Sequence, residues 1–166
     1  MRILGIDPGT TETGWCVYDS NTEQVLDREK EDNKLFVTMI PDIVCFHKID
    51  VIAYEMVACY GMAVGKSVFE TVLWMGRFLQ SADGLGCKIE RLYRKDVKIN
   101  LCNSMKAKDS NVRQAILDRF PASGGGKVPQ VGTKSEPGPL FGVSNDIWSA
   151  LALCLTYVDT FKGEVK

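Results

Sequence analysis

The opening of the chain constrains the fold more than any other stretch. An apolar run (Ile3, Leu4, Ile6) stops at Asp7. Pro8-Gly9 follows, then Thr10, Thr11, Thr13 and Gly14, and a second apolar run from Trp15 to Tyr18. Apolar run, Pro-Gly turn and apolar run read as a strand, a tight turn and an antiparallel return strand. This arrangement delivers the Asp7 carboxylate to the end of a sheet. The glycines keep bulk away from it, so a phosphate or a divalent cation has room to approach.

The remaining pattern predicts strands at 2–6, 13–19 and 24–30. A helix over 34–47 follows from the spacing of Leu35, Met39, Ile43 and Phe46, with Pro41 as its start or a kink. Residues 50–56 form a compact apolar strand carrying Glu55 near its end. A helix over 64–82 places Val68, Val72, Met75 and Leu79 on one face, and Asp83-Gly84-Leu85-Gly86 stops it. A strand at 87–93 and short helices at 95–102 and 107–119 come next. Residues 121–144 are rich in Gly and Pro and predict a long flexible loop. The last helix, 146–161, is apolar nearly all round, as a buried helix is. Strands first, then alternating helix and strand, predict an α/β fold: a mixed β-sheet flanked by helices on both faces, in a single domain over 1–166.

Composition narrows the chemistry. The chain is 45% hydrophobic and 25% charged, enough for a substantial core. A net charge of -1 argues against indiscriminate coating of nucleic acid but leaves room for local basic patches. No window approaches the roughly 20 apolar residues of a membrane helix. Residues 1–6 run straight into a strand with no charged-then-apolar leader. Six cysteines without a CxxC pair predict buried reduced thiols in a cytoplasmic protein, not a disulfide framework or a zinc site. With His47 the only histidine, mechanisms needing two are excluded. Acid–base chemistry must rest on carboxylates, lysines or metal-bound water.

Three acids stand at the ends of buried elements: Asp7 after the first strand, Glu55 in the central strand, and Asp146 at the head of the final helix. Ligands of open α/β sheets bind outside strand ends. If the first and fourth strands are neighbours, Asp7 and Glu55 lie side by side, and the final helix can add Asp146. Converging carboxylates repel, and a divalent cation resolves the conflict. Two such ions, about 3.5–4 Å apart, would activate a water and stabilise a leaving oxygen. Each acid also has a plainer reading. Asp7 before Pro-Gly can make an Asx turn, Glu55 can pair with a lysine, and Asp146 can cap its helix.

Asp7-Pro-Gly with Thr13-Gly14, Glu55 closing an apolar strand, and Asp146 ahead of Ala150-Leu151-Ala152-Leu153 together resemble the RuvC-like Holliday junction resolvases of the RNase H superfamily. Val97-Lys98 and Asn103 through Val112 are similar to the basic helical region of that family. The phrase from Tyr60 to Phe78 resembles its bacteriophage and prophage branch. The resemblance implies an RNase H-like sheet and an endonuclease dependent on Mg²⁺ or Mn²⁺, with one or two ions. It implies a homodimer acting on four-way DNA junctions in the host cytoplasm. It makes Asp7, Glu55 and Asp146 metal ligands and sets Lys98 and Lys108 near the scissile phosphate. One departure stands out. Where the family carries a second acid, three residues after Asp146, this chain has Ser149, leaving Asn145, Glu70 or water to fill the place.

Basic residues gather between Arg91 and Arg119, and the same stretch carries Asp96, Asp109 and Asp118, as a solvated helix face would. Read as a DNA surface, the contacts are Arg94, Lys95, Lys98, Lys106 and Lys108, joined by Lys127 and Lys134 from the long loop. Tyr60, shortly after Glu55, is a candidate to stack on a base; core or interface packing is its plainer reading. Phe69, Trp74 and Phe78 give the 64–82 helix more apolar surface than one sheet face needs, through either core burial or a dimer contact. Two other functions fit the acids: a junction-binding protein with reduced or no cleavage, and a broader RNase H-fold nuclease of branched DNA or RNA. The Asp7–Thr11 turn also resembles the phosphate loop of actin-like ATPases and sugar kinases, which need two large lobes.

Overall fold

A computed structural model describes residues 1–59, 61 and 63–161. In chain order they form β1 (Arg2–Pro8), β2 (Glu12–Asp19), β3 (Gln24–Asp32), α1 (Asn33–His47), β4 (Val51–Met56), α2 (Lys66–Ala82), β5 (Lys88–Tyr93), α3 (Arg94–Cys102), α4 (Asp109–Leu117) and α5 (Ile147–Phe161). One sheet of five strands has the order β3-β2-β1-β4-β5. The β1–β2 and β2–β3 pairs are antiparallel, whereas β1–β4 and β4–β5 are parallel. The mixed α/β expectation is met, with helices on both faces.

Alternation along the strands decides which side chain reaches which face. Leu4, Ile6, Trp15, Val17, Ile52 and Tyr54 enter one core with Phe36 of α1 and Phe78 of α2. Ile3, Cys16, Tyr18, Val51 and Ala53 enter the other with α5. Continuing that alternation puts Asp7 and Glu55 on the α5 face. In β2 it puts Gly14 there, and in β3 Lys30, whose partner across the ladder is Gly14.

α5 lies against the middle of the sheet, and every residue from Ala150 to Val158 is buried. Gly5 permits this. A Cβ there would collide with the Ala150 carbonyl, so only glycine lets the helix lie this close to β1.

α1 fills the expected 34–47 stretch: it begins at Asn33, with Asp32 capping the Lys34 N–H, and runs through Pro41, which is not its start. Proline at 41 leaves the Val37 carbonyl without its helical donor. The Ser81 hydroxyl of α2 donates to that carbonyl at 2.8 Å. On α2 the buried stripe is Thr71, Met75, Phe78 and Ala82 rather than the one through Val68 and Val72. The Phe36–Phe78 edge-to-face contact (5.0 Å) fits that rotation, and Phe69, Val72 and Leu73 are left exposed. Among the cysteines only Cys16 and Cys154 are buried, and Cys45 is exposed; all six are free thiols.

Residues 121–144 carry their own hydrogen-bond net. Gly124 and Leu140 N–H groups donate to Pro129 and Gln130 carbonyls, Gly125 and Thr133 to Glu136, and Gly138 to Val131. Leu140 and Val143 anchor the segment in the α5-side core. Among the described residues, no helix is long and apolar enough to cross a membrane.

Candidate active site

The site is built from strand ends. Ile6 of β1 pairs with Tyr54 of β4 in parallel register, so the next residues, Asp7 and Glu55, stand side by side on the α5 face. Across β2, Asp7 pairs with Gly14. A Cβ on Gly14 would sit 2.8 Å from the Cβ of Asp146 and 2.7 Å from its carbonyl carbon. The missing side chain is the space through which the head of α5 reaches the strand ends. The turn beside Asp7 is pinned from α1. Asn33 takes the Thr13 hydroxyl at 2.6 Å, donates its amide to the Gly9 carbonyl at 3.0 Å, and gives its backbone N–H to Thr11.

Burial raises the Asp7 carboxyl from the ordinary value near 3.8 to about 7, with the charges of Glu55 and then Asp146 adding to the rise. The Arg94 guanidinium and a hydrogen bond from Ser149 act in the opposite direction. Burial also pushes Glu55 up, against the pull of Arg94. Two carboxylates held apart from water at one sheet edge make a place poor in positive charge.

Two side chains supply part of that charge. Arg94, the first residue of α3, lies 3.3 Å from Glu55 Oε2 and 3.1 Å from Ser149 Oγ through Nη1, and 2.6 Å from Asp109 Oδ1 through Nη2. Lys30 of β3 lies 3.1 Å from Asp146 Oδ2 and 3.0 Å from Glu12 Oε2. The lysine thus ties Asp146 to Glu12, not to Asp7 or Glu55. Arg94, expected as a phosphate contact, is committed to acids of the site. Beside it lies a cleft of about 480 Å³ lined by Asp109, Arg113, Asn145, Asp146, Trp148 and Ser149.

The other expected residues fall as follows. Lys98 is half-buried and close enough to Glu55 and Asp109 to act on both charges. Lys108 is exposed at the head of α4, where its N–H donates to Asn111 at 2.9 Å. Lys95, Lys106, Lys127 and Lys134 are exposed. Tyr60 lies outside the described residues. Of the candidates to fill the place of the acid missing at Ser149, Asn145 lines the cleft. Glu70 does not; it lies on α2, 3.4 Å from Lys66, beside a hollow lined by Thr10, Thr11 and Asp32. Sequence reading missed Lys30, Glu12 and Asp109. Strand parity with Asp7 could have found the first two; Asp109 is brought in only by the packing of α4.

The donors present are hard carboxylate oxygens, the chemistry that suits Mg²⁺ or Mn²⁺. Glu55 is paired with Arg94 and Asp146 with Lys30. Among the described residues no three acids are grouped as a ligand set.

Five strands in this order, carboxylates at the ends of two central parallel strands, and a buried helix bringing a third acid define an RNase H-like fold with an acidic site. The likeness to known proteins is more specific. The chain is 26% identical to the crossover junction endodeoxyribonuclease RuvC of Campylobacter hominis, across 98% of this chain and 99% of that one. It superposes on the Thermus thermophilus RuvC structure with a TM-score of 0.71 at 18% identity, covering 95% of this chain and 93% of that one. With T. thermophilus RuvC in complex with Holliday junction substrate the TM-score is 0.68 at 18% identity, covering 99% and 96%. No protein-family model matches the chain.

Proposed function

We propose that this chain is a divalent-cation-dependent endonuclease that resolves four-way or branched DNA junctions by hydrolysing phosphodiester bonds. The observation that carries the reading is the side-by-side placement of Asp7 and Glu55 on parallel strands, facing the head of α5 and Asp146. The full-length likeness to a crossover junction endodeoxyribonuclease supports it.

Asp7 and Glu55 would hold the cation, joined by Asp146 once it exchanges Lys30 for the ion. The cation would supply a more acidic bound water and stabilise the departing oxygen. Burial of the two carboxylates keeps competing water away from them. Lys98 and Lys108 would meet phosphates next to the scissile bond, where lysine acts as a compact positive charge. Lys95, Lys106, Lys127 and Lys134 would contact the backbone farther out, with Tyr60 stacking on a base and Arg94 lying between the acids and the DNA.

We further place the chain as a single domain, active as a homodimer in the cytoplasm. The exposed Phe69, Val72 and Leu73 on α2 support the dimer. A phage or prophage origin rests on residues 60–78 alone.

The test is cleavage of a synthetic four-way junction in Mg²⁺ or Mn²⁺. Asp7→Asn should lower nicking by at least roughly 100-fold, given that even residues supporting a ligand alter metal sites by 10–100-fold. Junction binding in a gel shift should survive. Nicking at the wild-type rate by this variant would defeat the reading. One observation favours a second reading, binding without cleavage: cations already pair with Glu55 and Asp146. Tight junction binding by the wild type with no nicking in any divalent metal would select it.

A further inference from the structure

Arg94 enters the acid cluster at the junction of β5 and α3 and is gripped from three elements. Glu55 of β4, Ser149 of α5 and Asp109 of α4 all bond its guanidinium. Its side chain is 29% exposed, so it is a built part of the site and not a surface arginine that happens to reach it. Ser149 sits one helical turn beyond Asp146, on the same face of α5. Its hydroxyl accepts from Arg94 and bonds Asp7. A carboxylate at 149 would therefore face Asp7 and Asp146 and call for a cation of its own. Serine makes no such demand, and the guanidinium stands where that cation would be wanted.

The balance of charge agrees. Arg94 already sets a positive charge against Glu55 and acts on Asp7, the two buried carboxylates, while Lys30 answers Asp146. A second divalent ion beside that guanidinium would bring excess positive charge into a place shielded from water before any substrate arrived.

We propose that Arg94 and Ser149 together replace a second divalent-ion position, so that the site takes one divalent ion, held by Asp7 and Glu55, with Arg94 as its permanent second cation. Guanidinium suits that role because it stays charged and presents a rigid fork of donors. The inference rests on the metal-dependent reading above, and its test separates the two.

The experiment counts Mn²⁺ bound to the full chain by electron paramagnetic resonance of the free ion at pH 8, with no DNA present. The wild type should bind one ion. The double variant Arg94→Met/Ser149→Asp, which restores a carboxylate and removes the resident cation, should bind two. Arg94→Met alone should keep one ion and bind it roughly tenfold more tightly, because a nearby positive charge has gone. This single variant decides the matter if the double variant fails to fold. Two ions in the wild type, one in a folded double variant, or unchanged affinity in Arg94→Met would overturn the inference and leave the nuclease reading standing. A wild type that binds none would bring down both.

Discussion

Asp7 concentrates the physical tension of the molecule at one residue. Its carboxyl is buried against Glu55 and titrates at about 7. An acid with a raised folded-state value binds its proton more tightly folded than unfolded. Between about pH 4 and pH 7 the folded chain therefore holds a proton that the unfolded chain has lost, and stability falls as pH rises across that window. Metal-free protein should lose on the order of 1 kcal/mol of unfolding free energy per pH unit there, then level off above pH 7. Glu55 acts in the same direction. Urea melts from pH 4 to 8 measure this, and Asp7→Asn should flatten much of the slope. An unchanged slope in the variant would mean that Asp7 is not the proton-holding group. A dication must expel that same proton, so Mn²⁺ affinity should climb up to about pH 7 and then plateau. Asp7 itself was legible in the bare sequence, because an acid ending an apolar run at Pro-Gly can only sit at a strand end. The family resemblance marked position 149 as part of the acid site, but the hydrogen bond from Ser149 to Asp7 was not legible, since a serine within an apolar helix gives no sign of its partner.

At the scale of elements, the site depends on how closely α5 lies over β1 and β2. Two glycines allow that approach, Gly5 beneath Ala150 and Gly14 beneath Asp146. Gly14→Ala should displace the head of α5, at a cost of roughly 1–3 kcal/mol in denaturant melts as an overpacked contact. Nicking should fall while Asp7 and Glu55, fixed by the β1–β4 ladder, keep their register. A variant that melts and cuts like the wild type would show that Asp146 has slack. Periodicity foretold almost all of the elements, because strand and helix spacings are local properties. It misassigned the α2 face, where apolar residues surround the helix and only packing against Phe36 selects Phe78. It carried a helix across Pro41 but could not name the group that takes the freed Val37 carbonyl, since the Ser81 hydroxyl comes from another helix.

Across the whole molecule, the proposed dimer places its demand on α2. Phe69 and Leu73 are each about two-thirds exposed, at 66% and 65%, on the side of the helix turned from the sheet. Phe69→Asp/Leu73→Asp should shift sedimentation from dimer to monomer. Unfolding free energy should change by no more than about 0.5 kcal/mol per site, as at other surface positions. A wild type that sediments as a monomer at micromolar concentration would remove the dimer from the proposal. Residue type and local period were enough to locate the strand ends that carry Asp7 and Glu55 and the buried final helix, and a single histidine excluded mechanisms that need two. Which charges meet at those strand ends emerged from the three-dimensional packing alone. Lys30 reaches Asp146 through the β2–β3 ladder, and Arg94 and Asp109 arrive through the packing of α3 and α4. Such pairings depend on distances between segments far apart in the chain, and no local pattern encodes them.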